Sequence, residues 1–195
     1  MQDEYKKLKI NDNNTDNVYY RVICTSIQDI TLGTFNGKHI EMQCDSSFAY
    51  SQDSIKIIDA THSGTAKYNV QNTSDAGIYY PYFSIVCAAD YDGTVEFNNT
   101  TDGKTMVLDM SGISGEDRKV LNVDAEHMQM TDADGHLVPL YKVGWKILPD
   151  DNKAIQSNEL YWLRFLPGIN AIEIKGNAKI KFVVSFPRKA GQVGE

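Results

Sequence analysis

The chain has 195 residues, of which 42% are hydrophobic and 23% charged, and its formal net charge is −7. This composition predicts a folded globular protein with a substantial core. The acidic excess, without a stripe of Lys and Arg, disfavours a nucleic-acid partner held through its phosphates. No apolar run approaches the ~20 residues that cross a bilayer, so no membrane partner is expected either.

The first 17 residues are polar and rich in Asn and Asp, which predicts an N-terminal linker or the remnant of a preceding domain. Hairpin turns are predicted by Asn-Gly or Asp-Gly steps that begin at Asn36, Asp92, Asp102 and Asp134. Consecutive antiparallel pairing is therefore the expected topology. Alternating or apolar runs predict the strands themselves, at residues 19–24, 38–44, 64–70, 82–88, 94–98, 105–110, 119–124, 127–130 and 137–142.

The clearest alternation lies near the C-terminus. Residues 178–186 place Ala, Ile, Phe, Val and Phe on one side, which predicts a strand with one buried face. A tight turn at residues 175–177 is expected to join this strand to one that contains Ile172 and Ile174. A third strand at residues 161–165 would complete a three-strand meander, whose apolar face must pack on another layer.

These patterns predict an all-β fold, a two-sheet antiparallel β-sandwich of the jelly-roll type with ten to twelve strands. The sandwich is expected to span residues 18–190, followed by a short tail at residues 191–195. The best helix candidate is short and poorly apolar, at residues 150–157.

The sequence contains few signs of chemistry. No histidine has metal-ligand spacing, and Val143 stands where a Glu would close the calcium loop that begins at Asp132. No nucleophile elbow or phosphate loop is present. We therefore expect no metal, no cofactor and no enzymatic activity. Buried free thiols are expected for Cys24, Cys44 and Cys87.

Aromatic residues near predicted turns and strand ends are the candidates for recognition. Tyr79 and Tyr80 precede a predicted strand, Tyr141 lies near the end of the strand predicted at residues 137–142, and Trp145 follows it. Aromatic rings on a β-sandwich can bind sugar faces or protein partners. These four residues are therefore a predicted glycan or partner contact, with a place in the core as the alternative.

One segment has a defined physical interpretation, Leu166-Pro167-Gly168-Ile169-Asn170. Pro167 fixes φ and donates no hydrogen bond, Gly168 accepts positive φ, and Asn170 can bond nearby backbone. This segment predicts a structural corner between two strands.

The order of these motifs resembles the C-terminal half of siphophage distal tail proteins. The resemblance is carried by residues 72–88, by the Asp92 and Asp102 turns, by residues 120–124, and by the corner with the strand that follows it. It implies a C-terminal sandwich similar to galectins and carbohydrate-binding modules. In that family an N-terminal domain builds a hexameric ring at the tail tip. Here only a remnant of it is expected, at residues 1–17 and the strand near residues 19–24, so a hexamer is expected only if the upstream ring domain is present.

The resemblance implies a structural component of a phage or prophage tail tip or baseplate hub, located in the virion and assembled in the host cytoplasm. Its implied partners are the tail tube, the tail-associated hub protein, receptor-binding proteins and, at the host wall, cell-wall glycan. The alternative is a free-standing carbohydrate-binding, lectin-like module that acts through Tyr141 and Trp145. A weaker third hypothesis is a glycan-processing enzyme with a carboxylate pair.

Overall fold

The computed structural model describes residues 4–10, 17–144 and 161–189. These residues form fourteen strands and one 3-10 helix, Leu140–Val143. The strands are β1 (Lys6–Leu8), β2 (Val18–Leu32), β3 (Phe35–Cys44), β4 (Ala49–Ser51), β5 (Ser54–Asp59), β6 (Thr65–Asn72), β7 (Tyr82–Ala88), β8 (Thr94–Asn99), β9 (Lys104–Asp109), β10 (Arg118–Asp124), β11 (Gln129–Thr131), β12 (Gly168–Lys175), β13 (Ala178–Val184) and β14 (Pro187–Arg188).

Backbone contacts divide the chain into two compact units, Met1–Gln52 with Ser185–Glu195, and Asp53–Val184. In the first unit β2 pairs with β1, β3 and β4, and β4 pairs with β14. This division lies near residue 52, whereas the predicted sandwich begins at residue 18. The difference arises because every partner of β2 lies inside the first unit.

The second unit is an antiparallel β-sandwich. One sheet has the strand order β11-β10-β7-β13-β5 and the other has the order β6-β12-β8-β9. Fully buried aromatic rings join the two sheets: Phe97 on β8 lies 4.9 Å from Phe83 on β7 and 6.4 Å from Phe182 on β13, between ring centroids. The predicted all-β, two-sheet antiparallel fold is confirmed.

The predicted C-terminal meander is wrong. Strand β12 belongs to the four-stranded sheet and β13 to the five-stranded sheet. The turn at residues 175–177 therefore connects the two sheets and does not close a hairpin. Both strands bury alternate residues against the same core, and a period of two specifies the buried face without choosing the paired neighbour. The third expected strand, residues 161–165, forms only one isolated bridge, between Phe165 and Tyr79.

The predicted turns differ in outcome. The Asp102 step closes the β8–β9 hairpin as expected, and Gly103 there has φ of 67°. The turn predicted at Asn36 is wrong. Asn36 lies within β3 and pairs with Thr31 of β2, and the turn between these strands is at Gly33, where φ is 63°. The Asp92 step joins β7 to β8 across the two sheets.

Two smaller predictions also need correction. Residues 137–142 form no strand: Leu137 makes one isolated bridge with Thr131, and residues 140–142 lie in the 3-10 helix, which begins directly after Pro139. All three cysteines are free, as expected, but Cys44 is exposed and Cys24 half-buried. Only Cys87 is buried, and that burial raises the pKa of its thiol to about 11. The helix candidate at residues 150–157 and the C-terminal tail at 191–195 lie outside the described residues.

Candidate functional site

The most exposed ordered feature of the first unit is a long hairpin of β2 and β3, which we call the arm (residues 22–44). Its pairing runs from Val22 opposite Cys44 to Leu32 opposite Phe35. Strand β1 pairs with β2 only up to Val22, and β4 only at residues 18 and 19. Within the described ranges, the rest of the arm therefore has no third strand beside it, and every residue of β3 is exposed.

In the middle of the arm, at residues 24–28 and 39–42, the two faces differ in chemistry. Residues that pair across an antiparallel ladder share a face. Ile27 pairs with Ile40 and Cys24 with Met42, and this apolar face leaves the side chains of Ile27, Ile40 and Met42 between 46% and 61% exposed. The opposite face, which we call the polar face, carries the pairs Gln28 with His39 and Ser26 with Glu41 at this level. Nearer the turn it carries exposed Ile30 and Phe35. A register shift between Cys24 and Ser26 keeps both apolar pairs on one face.

Local interactions hold the outer half of the arm in its register. The Nζ atom of Lys38 lies 2.6 Å from the Asp29 carboxylate opposite it, and the Thr31 hydroxyl donates to Asn36 Oδ1 at 3.0 Å. Near the turn, the Phe35 side chain is 80% exposed. An ordered hairpin that presents this much apolar surface is a candidate protein-binding surface.

Aromatic and charged side chains anchor the arm's base within the first unit. The rings of Tyr19 and Tyr50 stack with centroids 5.7 Å apart, and the Arg21 guanidinium lies 4.1 Å from the Tyr50 centroid. Arg21 also lies 3.6 Å from the Asp45 carboxylate. Tyr19 and Tyr50 are buried, so the start of the arm is fixed to its own sheet.

The predicted aromatic contact is only partly placed by the structure. Tyr79 exchanges two backbone hydrogen bonds with Phe165, at 3.0 and 2.7 Å, and the two rings stack. Both Tyr79 and Tyr80 are half-buried. Tyr141 lies in the 3-10 helix beside β9 and is 67% exposed. Trp145 lies outside the described residues. Of the three described rings, Tyr141 is the most exposed, and the contact stays a prediction.

The predicted corner at residues 166–170 is confirmed. Gly168 has φ of 89°, and the buried Asn170 side chain accepts from the Leu166 amide at 2.8 Å and donates to the Leu166 carbonyl at 2.7 Å. Asn99 donates to Asn170 Oδ1 at 3.2 Å. This corner is a structural element of the sandwich.

Next to the corner is an ion pair that the sequence analysis missed. Arg164 donates two hydrogen bonds to the Asp102 carboxylate, at 2.9 and 3.1 Å, and the Tyr161 hydroxyl donates a third at 2.9 Å. The Arg164 hydrogen bond lowers the pKa of Asp102 below its ordinary value. Burial, reinforced by the Asp102 hydrogen bond, raises the pKa of Tyr161. The cluster joins the β8–β9 turn to the segment before β12.

The Asp-Gly turn at residues 132–136 brings three possible metal-ligand side chains together, Asp132, Asp134 and His136, with one ligand atom from each within 4.8 Å of the others. The Asp132 carboxylate already accepts the backbone amides of Asp134, at 3.0 Å, and His136, at 2.9 Å. These hydrogen bonds, chiefly the one from the His136 amide, lower the pKa of Asp132 below its ordinary value. Such bonds are those of an ordinary Asp turn, so the expectation of no metal stays a prediction.

Comparison with known proteins gives a sequence match for the N-terminal part of the chain. Residues 1–46 match the model of a family described as the phage tail protein N-terminal domain. This match includes β1 and the entire arm, and it extends beyond the predicted remnant at residues 1–17 and 19–24. Residues 1–46 are therefore similar to a phage tail protein domain. None of the curated proteins compared with the sequence matches it significantly.

Among solved structures, the chain is similar to the Dit protein of phage SPP1, which is described as a paradigm of the hub adsorption apparatus in phages that infect Gram-positive bacteria. The TM-score is 0.53 and the identity 15%, over 95% of this chain and 67% of that one. At this identity the likeness shows the fold. Together the two comparisons confirm the predicted resemblance to siphophage distal tail proteins.

Residues 1–46 are thus similar to a domain of phage tail proteins, and the chain shares its fold with a tail hub protein. The expected absence of enzymatic activity stays a prediction. Among the described residues, no helix combines the length and apolar character needed to cross a bilayer.

Proposed function

We propose that this tail protein is a component of the tail-tip hub, in which the arm binds a neighbouring tail protein and the sandwich is presented outward. The observation that carries the proposal is the exposed apolar patch in the middle of the arm, where Ile27 and Ile40 pair beside Met42 on one face while the neighbouring pairs on the other face are polar. Fully burying one Ile or Met side chain contributes about 1.5–3 kcal/mol, so covering half-exposed Ile27, Ile40 and Met42 supplies substantial binding energy.

The tail tube, the tail-associated hub protein and receptor-binding proteins are the proposed partners. A hexameric ring is proposed only for a protein that includes the remaining ring-forming residues. The outward sandwich would then dock receptor-binding proteins or contact the host wall.

A free-standing lectin-like module is the second candidate, and the exposed Tyr141 ring favours it. The outer face of the four-stranded sheet gives no support to a lectin-like function. Its outward residues on the described strands are polar or aliphatic and include no aromatic ring. Among them are Lys67, Asn69, Gln71 and Glu173. Sugar recognition on a β-sandwich commonly uses aromatic rings, so the hub component is the better-supported proposal.

Charge substitution on the arm tests the proposal. We expect the paired change Ile27→Lys with Ile40→Lys to reduce incorporation of the chain into tails by about tenfold or more, since lysine disfavours burial of the apolar face. The measurement is the amount of the chain in purified tails, when each variant replaces the native chain in the phage that encodes it.

The matched control is Gln28→Lys with His39→Lys, which places the same two charges opposite each other on the polar face. This control should assemble normally, and thermal unfolding should show both variants folded. Equal incorporation of the two double variants would contradict the proposed role of the apolar face.

A further inference from the structure

The second unit has one long sheet edge that differs from the others. Strand β5 is the last strand of the five-stranded sheet, and all six of its residues pair with β13. At the other end of that sheet, β11 has only three residues, and the Val138 amide bonds to the Met130 carbonyl beside it. The outer edge of β5 faces no strand among the described residues.

The outward side chains of β5 are apolar, whereas those of β6, the corresponding edge strand of the other sheet, are polar. On β6, Thr65, Lys67, Asn69 and Gln71 are exposed. On β5 the corresponding outward positions are Ile55 and Ile57, which are 58% and 59% exposed. Natural proteins blunt exposed edges with polar residues, as β6 does, because unpaired backbone groups accept another strand.

An apolar row leads across the sheet to the β5 edge. Val183 pairs with Tyr82 on one side and with Ile55 on the other, so the three side chains lie in one line on the outer face. Tyr82 is itself exposed. The row ends at the open edge of β5, where one further strand would continue it.

The charges beside this row indicate the partner. Lys181 pairs with Ile57 and therefore lies on the outer face, while Lys56 projects to the other side of β5. Both lysines are exposed, and neither has an ion pair with another described residue. At the ends of the strand, Asp59 lies 3.3 Å from Lys179, and Asp53 also has a partner. The centre of the edge is therefore cationic in a chain of net charge −7.

We propose that β5 is a docking site for an extended acidic segment of a partner protein, which adds to the five-stranded sheet as a sixth strand. Backbone hydrogen bonds to β5 supply affinity, and alternate side chains supply specificity. Apolar residues of the segment continue the row beyond Ile55 and pack beside Ile57, and acidic residues on its other side meet Lys56. A second copy of β5 is disfavoured, because its own Lys56 would bring a like charge to the same edge.

This inference rests on the proposed function, since it takes the partner to be another protein of the tail, and it names a second surface and the chemistry recognised there. The test uses the purified full chain and a labelled short peptide of alternating valine and glutamate. A peptide of alternating valine and lysine is the control ligand. The assay requires no assembled tails, so failure at β5 is distinguishable from failure of the arm.

The valine-glutamate peptide should bind saturably and more tightly than the valine-lysine peptide, and it should slow hydrogen exchange of the amides at residues 54–59. Lys56→Glu should weaken that binding by about fivefold and shift the preference toward the valine-lysine peptide. The matched variant Lys67→Glu, on the β6 edge, should change neither. No saturable binding, equal affinity for the two peptides, or protection confined to other strands would overturn the proposal.

Discussion

Replacing Phe182 with Ala is expected to lower the free energy of unfolding by about 3–5 kcal/mol, the usual cost of emptying a large aromatic site in a core. Phe182 is fully buried, and its ring centroid lies 5.0 to 6.4 Å from the rings of Tyr68, Phe83, Phe97 and Phe165. These rings come from both sheets, so no single strand can move to fill the cavity. Chemical denaturation of the purified chain measures the effect.

The control is Lys181→Ala, one residue earlier on the same strand. Lys181 is exposed on the outer face, and an exposed substitution of this kind changes the free energy of unfolding by about 0.5 kcal/mol or less. If both variants lost a similar amount of unfolding free energy, Phe182 would not be a main contact between the two sheets.

The second large effect is expected at Asp102, whose side chain is only 7% exposed. Asp102→Asn should lower the free energy of unfolding by about 2–4 kcal/mol, because it leaves the Arg164 guanidinium without its countercharge. The matched control is Asp29→Asn, which removes an ion pair to Lys38 that is largely exposed and should cost about 0–1 kcal/mol.

The Asp102 contribution should also depend on pH in a defined direction. Its folded-state pKa is lowered from the ordinary value of 3.8, chiefly by the Arg164 hydrogen bond. The carboxylate therefore stabilises the fold above pH 3.8, and this contribution is lost as pH falls through the lowered folded-state value. Denaturation curves at several pH values should show the wild type and Asp102→Asn converging at low pH. A difference that stays constant would assign the loss to packing instead.

Features set by neighbouring residues could be predicted from the sequence. The corner at residues 166–170 follows from Pro167, Gly168 and Asn170, which act on backbone within four residues of one another. Alternation at residues 178–184 identified the buried face of β13. The choice of neighbour could not be inferred in the same way, because β13 pairs with β7 and β5, which lie far away in the sequence.

The candidate site was harder to predict for related reasons. Asn36-Gly37 is a strong turn signal, yet the turn forms at Gly33 because that register pairs Ile27 with Ile40 and Lys38 with Asp29. The arm was therefore missed, although its alternating apolar residues are visible in the sequence. The Asp102–Arg164 pair joins residues that are 62 positions apart, and no local pattern links them.

Photo-crosslinking in assembled tails tests the central claim, that the apolar face of the arm binds a neighbouring tail protein, most directly. A photoreactive amino acid would replace Ile40 on the apolar face or, as a control, His39 on the polar face of the same strand. We predict that position 40 crosslinks efficiently to another tail protein chain, with the crosslinked peptides identified by mass spectrometry, and that position 39 does so much less. Equal crosslinking from both positions, or no crosslinked product from position 40 in tails that contain the chain, would contradict the claim.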